Sequence, residues 1–85
     1  MDRTALRRTL HQMLENNRGE PVAHFEDSAN LQTDLGLDSI DMVTLVIEIQ
    51  DDLHIQLAMP ELKDIQRVGQ LLDLLQAKLA ARQAA

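Results

Sequence analysis

The 85-residue chain contains no cysteine, no tryptophan and no tyrosine, and Phe25 is its one phenylalanine. Without cysteine it can form neither a disulfide nor a thiolate metal site, so any thiol chemistry has to come from a cofactor. The three histidines, His11, His24 and His54, lie far apart and lack the spacing of metal ligands. With so few aromatic side chains, the core has to be built from aliphatic residues.

Basic residues are few, because 8 lysines and arginines stand against 14 acidic residues and the formal net charge is −6. This balance argues against nucleic acid and anionic membranes as partners, since both are bound through Lys and Arg clusters. A basic protein partner, met by electrostatic steering, is the natural alternative. No apolar run approaches the roughly 18 residues of a membrane span, and no apolar signal core follows the Arg-bearing start. We therefore expect one cytoplasmic, monomeric domain over residues 1–85.

Three segments repeat their apolar residues with the period of an α-helix, and no segment alternates like a strand. The repeating residues are, in chain order, Leu6, Leu10, Met13 and Leu14; Met42, Leu45, Val46, Ile49 and Leu53; and Val68, Leu71, Leu72, Leu75 and Leu79. Asp2 or Thr4 is placed to cap the first helix, and Asp38 to cap the second, from about Ser39 to Leu53. Pro60 suits the start of one short helical turn. The pattern predicts an all-α bundle of three main helices plus one short helix.

A long stretch from about Asn17 to Leu37 has no helical or strand period. A loop of this length in a small domain is either functional, disordered or a mistaken assignment. Four apolar side chains are spaced along it: Phe25, Leu31, Leu35 and Leu37. We interpret it as an ordered loop between the first and second helices, held to the core by those side chains.

The second helix carries two apolar stripes. With Ile40 at zero, its core stripe lies at roughly 140° to 240°, and Ile40, Val43 and Ile47 form another at roughly 300° to 360°. A bundle helix needs one such stripe, so the second either packs on the short Pro60 segment or forms a docking surface.

Acidic residues concentrate in the same part of the chain. Between Asp34 and Asp64 there are eight of them against one basic residue, Lys63, which gives that segment a net charge of −7. A charge run is often only a solvated face, but here it borders the second stripe, where a partner could contact both. The predicted partner-recognition residues are Ile40, Asp41, Val43, Ile47, Glu48, Asp51 and Asp52.

One motif, Asp34-Leu35-Gly36-Leu37-Asp38-Ser39-Ile40, leads into the second helix. Gly36 allows a tight turn that exposes Ser39. The Ser39 hydroxyl would lie near the unpaired N–H groups and the positive end of the helix dipole, where a phosphodiester is stabilised. Taken alone, Asp38-Ser39 is more consistent with a plain helix cap than with an attachment site.

This motif resembles the attachment site of acyl carrier proteins. The resemblance continues through Asp41–Glu48, the pair Asp51-Asp52 and the last helix, and is weakest before Asp34. It implies a phosphopantetheine arm on Ser39, with Asp38 and Gly36 beside it, that a phosphopantetheinyl transferase attaches from coenzyme A. The arm's thiol would carry acyl groups as thioesters between acyl-transferring and acyl-modifying enzymes with basic docking surfaces. The chain would be a free-standing carrier and not an enzyme, and no metal site is expected.

The pathway stays open at this point. Thr44, Gln50 and Gln56 are neutral where carriers of fatty acid synthesis are often acidic. A specialised carrier for a dedicated lipid or a polyketide-type product fits as well as the carrier of fatty acid synthesis. A peptidyl or aminoacyl carrier, which more often has Gly-Gly-His/Asp-Ser at this site, and an unmodified acidic interaction module are the alternatives.

Overall fold

A computed structural model describes residues 2–84, apart from the side chains of Met59, Gln83 and Ala84. The chain forms four helices, α1 (Arg3–Arg18), α2 (Ser39–Leu53), α3 (Met59–Leu62) and α4 (Val68–Ala84). No β-strand occurs within 2–84, so the predicted all-α bundle of three main helices and one short helix is confirmed.

Local sequence signals set the ends of α1. Of the two candidate caps, Asp2 is the one used, because its carboxylate accepts the N–H of Ala5 at 2.7 Å. At the other end Gly19 adopts the left-handed conformation, with φ of 71°, and its N–H donates to the Glu15 carbonyl. Glycine takes this conformation without steric cost, so the helix stops where the sequence places its first glycine.

The core joins one face of each long helix with the side chains of the loop between α1 and α2. On α2, Leu45 and Ile49 are 1% and 0% exposed. The loop residues Leu31, Leu35 and Leu37 are buried too, and Phe25 packs against the core while partly exposed. The expectation of an ordered loop held by its apolar side chains is therefore confirmed.

Backbone hydrogen bonds tie the same loop to the start of α4. Asn30 and Arg67 form an isolated antiparallel bridge, and the Leu31 N–H donates to the Gln66 carbonyl at 2.8 Å. The side chain of Gln70 accepts the N–H groups of Gln66 and Arg67 at 2.9 and 3.0 Å. This explains how α4 begins without the usual Ser or Thr cap.

A cluster of ion pairs fastens the loop to α1. The carboxylate of Asp27 binds Arg3 at 2.9 Å and Arg7 at 2.6 Å, while Arg3 also binds Asp73 on α4. Hydrogen bonds lower the pKa of Asp27, and the one from Arg3 has a larger effect than the one from Arg7. The backbone of Asp27 also accepts the N–H of Gly69 at 3.0 Å, and a Cβ at Gly69 would lie 3.2 Å from that carbonyl oxygen. Glycine thus permits the close approach of loop and helix.

The two stripes of α2 should differ sharply in their response to truncation. Leu45→Ala or Ile49→Ala removes buried groups and should lower the free energy of unfolding by about 2–5 kcal/mol. Val43→Ala and Ile47→Ala should cost distinctly less, because these side chains are 46% and 54% exposed. Chemical denaturation of the four variants measures the difference, and equal losses at all four positions would contradict the assignment of the stripes.

The Asp27 ion pairs should make stability depend on pH. Because the pKa of Asp27 is lower in the folded protein, its stabilising effect is present above the unfolded pKa and is lost as the pH falls through the folded value. Asp27→Asn should therefore lower the melting temperature at neutral pH. The difference in melting temperature between this variant and wild type should become smaller below about pH 4.

The matched control for this experiment is Asp73→Asn, which removes the more exposed partner of Arg3. The Asp73 side chain is 73% exposed against 42% for Asp27, so its loss should lower the melting temperature less. A gap between wild type and Asp27→Asn that stays constant from neutral to acidic pH would show that the ion pairs are not its cause.

Candidate functional site

Ser39 is the first residue of α2, and its side chain is exposed. Asp38 precedes it as the N-cap, as the sequence predicted, and its carboxylate accepts the N–H of Asp41 at 2.8 Å. The carboxylate of Asp41 in turn accepts the N–H of Asp38 at 3.2 Å. This reciprocal pair is a capping box. It fixes where α2 begins and therefore where the Ser39 hydroxyl lies.

The turn before Asp38 depends on Gly36, which has φ of 73°. Its neighbours Leu35 and Leu37 are both buried, so the turn lies between two side chains that enter the core. The left-handed conformation at Gly36 makes this tight turn, as the sequence predicted, and it disfavours residues with a Cβ. Gly36 thus acts through the backbone path that leads to Ser39.

Arg18 also contacts this turn, and sequence reasoning did not single it out. Its guanidinium donates a hydrogen bond to the Leu35 carbonyl, and its NH2 group lies 3.0 Å from the position that a Cβ of Gly36 would take. Arg18 stands 17 residues before Leu35. No local pattern connects the two positions, because the contact exists only once α1 packs beside the loop.

A cleft of about 630 Å³ opens beside Ser39, between α2 and the α3 segment. Most of its lining is apolar, and it includes Met42 and Val46 from α2 and Leu62 from α3. Lys63, the basic residue of the acidic segment, also lines it. The exposed hydroxyl at a helix N-terminus, next to an apolar cleft, fits a phosphodiester-linked arm with an apolar cargo.

The second stripe of α2 is exposed to solvent. Ile40 is 76% exposed, Val43 46% and Ile47 54%, while Val43 also lines the cleft with Pro60. The second stripe of α2 is therefore not buried in the core, and of its three residues only Val43 lies beside the Pro60 segment within the cleft. Large apolar side chains that stay exposed on one face are typical of an interaction surface.

Acidic side chains flank this stripe. Asp41, Asp51 and Asp52 are exposed and Glu48 is half-buried, and the ion pairs found within residues 2–84 include none of these four. Glu61 differs, because it binds Lys78 at 2.7 Å, and this contact lowers the pKa of Glu61. Glu61 thus holds α3 against α4, and the open negative charge concentrates on α2. We call Ile40, Asp41, Val43, Ile47, Glu48, Asp51 and Asp52 the α2 face.

Two polar side chains near the site, Asp34 and Gln50, stabilise loops by accepting backbone hydrogen bonds. The carboxylate of Asp34 accepts the N–H of Asn30 at 2.7 Å, which closes the turn before Leu35. The side chain of Gln50 accepts the N–H of Leu57 at 2.8 Å, so it supports the connection to α3. Of the three neutral positions noted in the sequence, Gln50 thus has a structural role.

Residues 2–84 contain no cluster of three or more His, Cys, Asp or Glu side chains that could hold a metal ion. No helix in this range is both long and apolar enough to span a membrane.

Comparison with known proteins identifies the family. The profile of the phosphopantetheine attachment site matches residues 6–75. An acyl carrier protein of Saccharopolyspora erythraea is 34% identical over 88 aligned positions, which cover 100% of this chain and 93% of the relative. An acyl carrier protein of Amoebophilus asiaticus is 37% identical over 54 positions, or 64% of this chain and 68% of the relative.

A solved structure has the same fold. The crystal structure of an acyl carrier protein from Thermotoga maritima superposes with a TM-score of 0.87 at 24% identity, over 96% of this chain and 95% of the other. The matched attachment-site profile and the relative from Saccharopolyspora erythraea show that the chain belongs to the acyl carrier protein family, whose members are carriers and not enzymes and bear acyl groups on phosphopantetheine.

Proposed function

We propose that Ser39 is the residue that carries the phosphopantetheine arm. The observation that supports this proposal most strongly is the position of Ser39: its side chain is exposed in the first turn of α2, beside the apolar cleft. The capping box of Asp38 and Asp41 supports it, because it holds that turn in place. Asp38 and Gly36 act as positioning residues.

Loading forms one bond at Ser39. The serine oxygen bonds to the phosphorus that bears the pantetheine of coenzyme A, the adenosine bisphosphate part leaves, and a base of the transferase takes the hydroxyl proton. The positive end of α2 stabilises the resulting phosphodiester. Once attached, the arm supplies a thiol that forms thioesters with acyl groups. The chain then contributes an anchored position and an apolar cleft beside it.

The α2 face is the surface that partner enzymes recognise in this proposal. It combines exposed apolar side chains such as Val43 and Ile47 with acidic ones such as Asp51 and Asp52. The transferase and the acyl-handling enzymes would dock through basic surfaces with an apolar centre, and the charges would steer their approach. Nucleic acid and membrane surfaces have no place in this function, and we expect a cytoplasmic monomer whose single carrier domain spans residues 1–85.

The acyl groups belong to fatty-acid, specialised lipid or polyketide-type biosynthesis in our proposal. The side chains of Thr44 and Gln56 are exposed and neutral on and just after α2. Partners that bind acidic side chains at these two positions would distinguish this carrier from a more acidic one. This supports a specialised carrier as much as the carrier of fatty acid synthesis.

Attachment should depend on Ser39 alone. Incubation with coenzyme A and a broad-specificity transferase should add the mass of one phosphopantetheine to the wild-type protein and none to Ser39→Ala. The matched control is Ser28→Ala, since Ser28 and Ser39 are the two serines of the chain and both are exposed. Intact-mass spectrometry measures the product, and circular dichroism checks that helical content is kept. Modification of the Ser39→Ala protein would end this assignment.

Reversing charge on the α2 face should slow loading. Asp41 is unsuitable because its carboxylate belongs to the capping box, so the test pair is Glu48→Lys with Asp51→Lys. We expect the initial rate to fall about tenfold at low salt, and the deficit to shrink near physiological salt, where screening acts beyond about 8 Å. The control pair, Glu20→Lys with Glu26→Lys, changes the net charge equally at exposed positions outside α2. Equal rates for the two pairs would mean that only net charge matters.

A further inference from the structure

Two backbone hydrogen bonds within the loop shape the turn that precedes Ser39. The Leu35 N–H donates to the Asn30 carbonyl at 3.1 Å, and the Leu37 N–H donates to the Leu31 carbonyl at 2.9 Å. Both bonds begin and end in the segment between α1 and α2. They shape the turn, while the buried side chains of Leu35 and Leu37 hold it to the core.

Arg18 supplies a polar contact to this turn from another element. It is the last residue of α1, and its guanidinium donates to the Leu35 carbonyl, which lies in the peptide group leading into Gly36. The same guanidinium stands over Gly36, 3.0 Å from where a Cβ would be. It therefore lies beside the Leu35–Gly36 peptide bond, and its hydrogen bond is to the carbonyl of that bond.

The position of this contact matters because Gly36, with φ of 73°, is the residue in the approach to the site whose backbone is least restricted by a side chain. Glycine loses more conformational freedom on folding than any other residue. Rotation at Gly36 would move Asp38 and Ser39 relative to α1. An enzyme that binds a mobile turn has to order it, and the cost of ordering weakens binding.

We propose that Arg18 is a positioning residue for the loading of Ser39: its hydrogen bond to the Leu35 carbonyl preorganises the turn that the transferase recognises. This inference rests on the proposed function of Ser39 as the attachment residue. Arg18 contacts neither the reacting oxygen nor the arm in this scheme. It acts through the backbone of residues 35–38.

Electrostatics makes the proposal testable, because charge and positioning predict opposite effects. Arg18 lines a small cavity of about 170 Å³ together with Asp41 and Thr44, so its positive charge lies beside the acidic α2 face. Removing that charge makes the site more negative and should strengthen the attraction of a basic transferase. Removing the positioning contact should weaken binding of the same enzyme.

The chain offers a matched control in Arg82. Its guanidinium donates to the Leu53 carbonyl at the far end of α2, so it makes the same type of contact with the last residue of the helix. Arg18→Ala and Arg82→Ala therefore change the net charge equally and each removes one guanidinium–carbonyl hydrogen bond. Both arginines are exposed, so their replacement should leave the core intact, which circular dichroism checks.

The experiment measures KM and kcat for loading of the full chain by one transferase with coenzyme A. For Arg18→Ala we expect KM for the carrier to rise about three- to tenfold, the range of one net hydrogen bond, with kcat changed less than about twofold. Arg18→Lys, which keeps a charged donor, should recover part of the loss, and Arg82→Ala should keep the wild-type KM.

Hydrogen exchange gives a second readout on the unloaded protein. The amides of Leu37 and Asp38 should exchange about three- to tenfold faster in Arg18→Ala, with the amides of Leu45 and Ile49 unchanged. The role of Arg18 is overturned if Arg18→Ala and Arg82→Ala have the same KM, or if KM for Arg18→Ala falls. Absence of loading in the wild-type chain would instead overturn the proposed function of Ser39, and this inference with it.

Discussion

The rotation of α2 about its own axis is the constraint on which the rest of the site depends. Burial of Leu45 and Ile49 in the core sets that rotation, since turning the helix would expose both side chains at a cost of about 1.5–3 kcal/mol each. With the rotation fixed, Ile40 and Ile47 have to face solvent. The buried side chains of α2 thus determine which groups a partner can contact, although they do not reach the surface themselves.

The long loop between α1 and α2 extends this constraint to the attachment site. Its apolar side chains enter the core, the ion pairs of Asp27 hold it to α1, and its bridge to Arg67 joins it to α4. The ion pairs are modest individually, because partly exposed ion pairs contribute about 1 kcal/mol or less, whereas burial of one leucine contributes about 1.5–3 kcal/mol. Together they give Ser39 a defined position at the end of a segment that has no helix or strand of its own.

Charge is arranged so that folding and recognition use different acidic residues. Asp27 and Glu61 are bound by arginine or lysine and hold elements together, and these contacts lower the pKa of both carboxyls. Asp51 and Asp52 are exposed on α2, outside the ion pairs found in residues 2–84. The net charge of the sequence therefore understates how strongly negative charge concentrates on one helix.

The sequence by itself determined the helices and the start of α2, because capping and periodicity act within a few residues. Asp38 and Asp41 are three positions apart, so the beginning of α2 at Ser39 could be predicted. The exposure of Ile40 and Val43 could not, because periodicity does not say how many neighbours a helix has. Arg18 was found only in the structure, since its contact with Leu35 spans 17 residues. Tertiary packing alone decides such contacts, by bringing the end of α1 beside the turn.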